Sequence, residues 1–346
     1  MPGVNGSDRV KALGEIWLGE VDDHVIDLTW SPDGSRLAAA SVGGPIRMFD
    51  GASGTIQHKL AGHGFGTTAL CWSSFGTLLA SAGQDGLART WNATTGAEQF
   101  RVEGGSPWVE RVAWSPPGDV LATASGRTLR FWNMSGQLLN EVTEHPSTIA
   151  DIAWRPRSNE LASVAYGQLA LWKPDRPEPV REFTWKGSML ALAWSPHGRY
   201  IATGDQDSSV HFWIVKTGHE LMMYGYPTKV RTLSWDSVGR YLATGGGPHV
   251  TIWDCDGKGP AGTTPIAVDR RRTLITALAF RPSGAVLAVG GEDGALRIWR
   301  VGKESEKLGA ANLGAEISKV AWHPSGRSLA ASTATGTVAV FEAPWI

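Results

Sequence analysis

The sequence predicts an all-β chain, a single eight-bladed β-propeller of four-stranded antiparallel blades, closed by an N-terminal strand that completes the last blade. Three observations predict it. Aromatic residues recur at a period near 42, a Pro/Gly turn follows the first aromatic of most periods, and alternating apolar runs flank those turns.

One aromatic set is Trp30, Trp72, Trp114, Trp154, Trp194, Trp235, Phe280 and Trp322, at intervals of 40 to 45 residues. A second runs in step: Phe49, Trp91, Trp132, Trp172, Trp213, Trp253, Trp299 and Phe341. Together they hold 13 of the 17 Trp and mark eight repeats. The first aromatic ends an alternating run such as Val25-Ile26-Asp27-Leu28-Thr29-Trp30, read as strand a. Turns follow at Ser31-Pro32-Asp33-Gly34, Ser115-Pro116-Pro117-Gly118, Ser195-Pro196-His197-Gly198 and His323-Pro324-Ser325-Gly326. Pro presets φ early in such a turn and Gly accepts a positive φ near its end. Strand b is a run such as Leu121-Ala122-Thr123-Ala124-Ser125, and strand c carries the second aromatic, as in Leu129-Arg130-Phe131-Trp132. A weaker run, such as Gln57-His58-Lys59-Leu60, makes strand d.

The repeats fall near 21–54, 62–96, 105–136, 145–173, 185–217, 226–257, 271–302 and 313–343, within one domain over 12–346 behind a flexible N-terminus, 1–11. Asp254 to Arg272 reads as a Gly/Pro/Thr-rich insertion and not as a linker. After Phe341 too little chain remains for a fourth strand, whereas Gly14-Glu15-Ile16-Trp17-Leu18 stands as far before Trp30 as Leu60 stands before Trp72. That segment is expected to close the ring and cover an edge.

These repeats resemble the WD40 family over nearly the whole chain, and the Pro/Gly-punctuated, Ala- and Trp-rich composition looks like that of a stand-alone bacterial-type member. The second repeat carries the resemblance best, with Gly62-His63, Trp72, Leu79-Ala80-Ser81, Gln84-Asp85-Gly86 and Trp91. The resemblance implies that His63, Ser81, Asp85 and Trp91 form a hydrogen-bonded structural tetrad. Other repeats depart from it. Tyr166 stands for the Asp beside His145, Trp185 and Arg271 stand at the histidine position, and among the second aromatic set the Trp-Asp pair occurs only at Trp253-Asp254. Packing must therefore hold most repeats together. Each buried aromatic removes about 150 to 250 Å² from water, worth at most roughly 4 to 6 kcal/mol.

A net charge of −1 supplies no global field, which argues against a nucleic-acid or anionic-membrane binder. Two cysteines, Cys71 and Cys255, make no disulfide scaffold. With no long apolar run, the chain reads as a cytoplasmic monomer. No nucleophile elbow, phosphate loop, His-Glu-x-x-His or Cys-x-x-Cys pair occurs, so no catalytic residue, cofactor or metal site is assigned and the chain is read as no enzyme. Among nine His, His24, His63, His145 and His249 show no chelating spacing.

In WD40 proteins partners commonly dock on the face made by the d-to-a and b-to-c loops. Carrying those slots over, the resemblance points to His24, Ile26, Trp108, Glu110, Leu190, Lys229, Arg231, Leu274, Glu292 and Glu316. Trp108 lies outside both periodic sets, and a Trp on a rim suits an interface anchor. Lys229, Arg231 and the run Arg270-Arg271-Arg272 suggest an acidic partner. The expected function is a non-catalytic scaffold for a protein or peptide. The alternative is a propeller holding a small molecule or metal at its axial mouth with His24, Glu110 or Glu316.

Overall fold

A computed structural model describes residues 11–105, 108–257 and 259–345. The segment expected to be flexible, 1–11, lies outside the described residues except for Lys11. Among the described residues thirty strands form seven sheets. The last sheet takes β1 (Glu15–Glu20) from the N-terminus. The first is β2 (Val25–Trp30), β3 (Arg36–Ser41), β4 (Ile46–Asp50) and β5 (Ile56–Leu60). The second is β6 (Thr67–Trp72), β7 (Leu78–Gly83), β8 (Leu87–Asn92) and β9 (Glu98–Glu103). The third is β10 (Arg111–Trp114), β11 (Val120–Ser125), β12 (Thr128–Asn133) and β13 (Leu138–Val142).

The fourth sheet has six strands: β14 (Asp151–Trp154), β15 (Leu161–Lys173), β16 (Arg176–Trp194), β17 (Tyr200–Asp205), β18 (Val210–Ile214) and β19 (His219–Met223). Beyond it come β20 (Leu233–Trp235), β21 (Tyr241–Thr244), β22 (Val250–Asp254) and β23 (Ile266–Val268), then β24 (Ile275–Phe280), β25 (Val286–Gly291), β26 (Ala295–Arg300) and β27 (Glu306–Asn312). The seventh sheet is β28 (Ile317–Trp322), β29 (Ser328–Thr333), β30 (Thr337–Glu342) and β1.

Eight separate four-stranded blades are thus corrected to seven sheets, because the fourth and fifth repeats share one. β16 is a 19-residue strand that pairs with β15 through Phe183↔Leu169 and Arg181↔Leu171, then with β17 through Leu192↔Thr203 and Trp194↔Ile201. The cause lies in the fourth b-to-c turn. Where the second repeat has Gln84-Asp85-Gly86, the fourth has Tyr166-Gly167-Gln168, and this turn is zipped to the connecting segment by Tyr166↔Ser188 and Gln168↔Thr184. The connection stays extended instead of looping away.

The ring closes through both termini. β1 pairs antiparallel with β30 by Trp17↔Val340, Leu18↔Ala339 and Glu20↔Thr337. Trp17 is buried, stacks 5.5 Å from Phe49 of the first sheet and donates its indole N–H to the Gly51 carbonyl at 3.1 Å. The closing strand therefore also stitches the last sheet to the first.

Small residues on strand b let neighbouring sheets pack face to face, as Ala38, Ala39 and Ala40 do with no exposed surface. Across one seam Ala38, Ile46 and Met48 of the first sheet cluster with Leu70, Trp72 and Trp91 of the second. The strand-a tryptophans add a directed bond to this packing. Trp72 donates to the Thr29 carbonyl, Trp154 to Ala113, Trp194 to Ala153, Trp235 to Ala193 and Trp322 to Ala279, at 2.9 to 3.2 Å. Each acceptor immediately precedes the aromatic of the neighbouring repeat, so the indoles form a relay around the molecule. Two links differ. Trp114 has no acceptor for its indole N–H, and Phe280 has no N–H to give.

Candidate partner-binding face

One cavity of about 980 Å³ opens where the N-terminal ends of the strand-a segments meet the d-to-a loops. The starts of the strand-a segments, such as residues 25–27, 68–70 and 150–152, form its wall, so its lining follows the repeat. His24, Ile26, Leu190 and Lys229 line it. Arg231, Leu274, Glu292 and Glu316 line it as well. Trp108 and Glu110 do not belong to that lining. Trp108 is half exposed, and its carbonyl accepts the Ser125 hydroxyl at 2.6 Å. Glu110 accepts the Gly126 N–H at 3.1 Å, and burial raises its carboxyl above the usual range.

The charges deeper in the mouth are spent on the fold. Asp27 accepts the Leu70 N–H at 2.8 Å and lies 3.7 Å from Lys319. Asp151 accepts Arg111 at 3.1 Å and the Leu192 N–H at 3.1 Å. Each carboxylate therefore ties an inner strand to its neighbour. Glu292 also holds its own loop, through the Leu274 N–H at 3.0 Å. By contrast, among the described residues Lys229 and Arg231 stand within ion-pair distance of no carboxylate.

The arginine run is corrected in part. The Arg271 side chain is buried and paired with Asp269 and Asp293, each at 2.6 Å, and it donates to the carbonyls of Val289 and Ala295. Its charge is consumed inside the sheet, leaving Arg270 and Arg272 exposed.

In the second repeat Trp91 donates to Ser81 Oγ at 2.9 Å, Ser81 Oγ lies 2.7 Å from His63 Nε2, and His63 Nδ1 lies 2.8 Å from Asp85. Burial holds the His63 imidazole below its usual range, consistent with a neutral ring donating from Nδ1. Asp85 would be raised by burial, but His63, the Leu87 N–H and Arg89 outweigh this and lower it.

The same slot is refilled elsewhere. His145 Nε2 lies 2.9 Å from Ser163 Oγ, which accepts Trp172 at 2.8 Å, and the Arg127 carbonyl replaces the aspartate. Burial lowers His145 to about 4. Tyr166 takes no part and is exposed. In the sixth repeat, Tyr226, which the sequence reading passed over, does the histidine's work: its hydroxyl accepts Trp253 at 2.7 Å and bonds Thr244 at 2.7 Å. The signal was available, because Tyr226 precedes Thr244 by 18 residues, as His63 precedes Ser81 and His145 precedes Ser163.

The fifth repeat breaks the pattern. Trp185 fills the slot with its ring 4.2 Å from that of His211, and the indole N–H of Trp213 stays unpartnered. Asp205, fully buried beside them, lies 3.6 Å from His211 Nε2. Burial, reinforced by the nearby carboxylates Asp207 and Glu220, pushes Asp205 up to about 7.

A second exposed aromatic shares the rim with Trp108. Phe65 is 88% exposed, sits in the d-to-a loop of the second repeat with φ of 66°, and was not singled out by repeat position. Among the described residues no group of three or more His, Cys, Asp or Glu side chains gathers as a metal site would require.

A family model described as WD domain, G-beta repeat matches residues 17–50, 54–92, 98–133, 177–213, 217–254 and 269–300. Protein FIZZY-RELATED 3 of Arabidopsis thaliana is 35% identical over 94 residues, covering 26% of this chain and 19% of that protein. Anaphase-promoting complex subunit cdh1 of Dictyostelium discoideum is 33% identical over 92 residues, covering 25% of this chain and 12% of that protein. The chain thus matches less than a fifth of the length of either relative. Both are eukaryotic, and a bacterial-type origin finds no support in them. The C-terminal WD40 domain of Sif2 superposes with a TM-score of 0.82 at 19% identity, covering 97% of this chain and 99% of that domain, which shows the shared fold.

Proposed function

Because the chain belongs to the WD domain, G-beta repeat family, we propose that it is a non-catalytic scaffold holding a protein or peptide on the face made by its d-to-a and b-to-c loops. The observation that carries the reading is the cavity of about 980 Å³ onto which eight of the side chains assigned to that face converge. Its floor is occupied by internally paired charges, whereas its rim offers Lys229 and Arg231 without carboxylate partners and Ile26, Leu190 and Leu274 as apolar contacts. This combination suits an acidic segment with apolar side chains. Phe65 and Trp108 supply exposed aromatic anchors on neighbouring loops. A relative's printed name, a subunit of the anaphase-promoting complex, supports a partner that is itself protein.

The test is quantitative capture of partners by the tagged full chain, compared with Lys229→Glu/Arg231→Glu and with Trp108→Ala. Loss of the same partners from these variants, with unchanged melting curves, is the expected result. Equal capture by all three proteins places the partner elsewhere.

A further inference from the structure

At the opposite end of the sheets, among the a-to-b and c-to-d turns, a second cavity of about 650 Å³ lies between the fourth and fifth repeats. Two sequence departures create it. Ser31, Ser115 and Ser195 close their own a-to-b turns, but the fourth repeat has Arg155, which instead pairs with Glu160 at 2.7 Å and lies 5.6 Å from the Trp194 ring. Asp50, Asn92 and Asn133 cap their c-to-d turns with side-chain bonds, but the fifth repeat has Ile214 in that place, which caps nothing and faces the cavity. Leu171, Val180, Tyr200 and Val215 complete an apolar floor.

The rim is cationic. Arg181 is fixed by the carbonyls of Val215 and Lys216 and lies 5.0 Å from the Phe183 ring, so its guanidinium is positioned without being neutralised. Arg199 and Lys216 are exposed. Among the described residues none of the three is within ion-pair distance of a carboxylate, and the single acid on the lining, Glu160, is taken by Arg155. The volume suits a large side chain with its flanking groups. The three cations come from strand β16 and two separate turns, so they spread around the apolar floor instead of converging on one small anion.

We propose that this cavity is a second binding site, for an acidic peptide segment whose bulky apolar side chain enters between Val180, Tyr200 and Ile214 while neighbouring carboxylates reach Arg181, Arg199 and Lys216. The site is independent of the loop face on the other side of the molecule, so either reading survives failure of the other.

The test uses the full chain and short fluorescent peptides carrying one phenylalanine, or its photoreactive benzoyl derivative, among glutamates at varied spacing. At least one spacing binds with saturable anisotropy, and replacing its glutamates by glutamine or its phenylalanine by glycine abolishes binding. Arg199→Glu and Lys216→Glu each weaken it by about tenfold or more, Val180→Asp does likewise, and Lys59→Glu on an outer strand leaves it unchanged. Melting curves of the variants stay close to the wild-type value, because Lys216 makes no side-chain bond in the fold and the exposed Arg199 makes only a contact of its guanidinium with the Tyr200 ring at 5.7 Å. Photocrosslinks fall within residues 155–217. The proposal is overturned if no spacing binds, if binding ignores the charge reversals, if crosslinks map to the d-to-a loops, or if vesicles of acidic phospholipid bind this cavity while the peptides do not.

Discussion

The indole N–H of Trp30 donates to the carbonyl of Ala321 at 3.0 Å, joining residues 291 positions apart. This is the link at which the relay of strand-a tryptophans returns to its start, and it lies on β28, at the edge of the last sheet opposite the β1–β30 pairing that joins the two ends of the chain. Trp30→Phe keeps an aromatic ring and removes only the donor and part of the volume. The same change at Trp114 removes volume but no bond, because that indole N–H has no acceptor. In urea unfolding, Trp30→Phe should therefore cost about 1 kcal/mol or more beyond Trp114→Phe. Equal losses would show that the relay contributes nothing beyond packing.

The tetrad of the second repeat supplies a second contrast. Asp85 receives His63, the Leu87 N–H and Arg89, whereas Asp207 receives the Ser209 hydroxyl at 2.6 Å. Asp85→Ala is expected to cost about 2 to 3 kcal/mol and Asp207→Ala less than about 1, measured by the same denaturant titration. A reversed order would refute the role given to His63.

His145 makes stability depend on acidity with a definite sign. Its folded value, about 4, lies below the ordinary 6.5, so the unfolded chain takes the proton first as pH falls. Stability present above 6.5 is lost as pH falls toward 4, by up to about 3 kcal/mol. His145→Gln, which can still bond Ser163, should flatten this part of the profile relative to wild type. Parallel profiles would contradict the buried neutral ring.

Asp205 acts in the other direction. Its folded value is raised to about 7 from 3.8, so the stability of its protonated form is complete below 3.8 and disappears as pH rises through 7. Asp205→Asn imitates the protonated group at every pH. It should raise stability above pH 7, by up to about 4 kcal/mol, and approach the wild type near pH 4. A melting temperature at alkaline pH no higher than that of the wild type would mean that the carboxylate finds a partner.

Much of this was legible in the chain itself. The period of the aromatics located the strand-a and strand-c anchors, and the offset of the segment ending at Leu18 from Trp30, the same as that of Leu60 from Trp72, singled out the strand that pairs with β30. Other features depend on what a residue meets across space. Arg271 reads as the middle of an exposed basic run, yet its position 18 residues before Val289 carries it into the sheet, where Asp269 and Asp293 wait. Tyr226 replaces a histidine by geometry and not by chemistry, since only its hydroxyl reaches the bonding position. The pairing of Tyr166 with Ser188 could not be read from either residue, because both belong to segments that loop freely in other repeats. On the candidate face, slot position brought eight side chains to one mouth, but Trp108 and Glu110 follow their own loop instead.

β16 has a consequence for how the molecule comes apart. Elsewhere neighbouring repeats are joined by side chains, indole bonds and isolated backbone bonds such as those from the Val109 N–H to the Gly83 carbonyl and from the Ile149 N–H to the Gly126 carbonyl, which permits one sheet to loosen while the next stays formed. Across the fourth and fifth repeats one strand, β16, pairs first with β15 and then, past register shifts at Tyr166/Gln168 and Met189/Ala191, with β17, so these two repeats are expected to loosen together and their amides to exchange with solvent together. New chain ends introduced by circular permutation between β9 and β10 would cut a connection between sheets, whereas the same operation between Thr184 and Ser188 would sever a ladder.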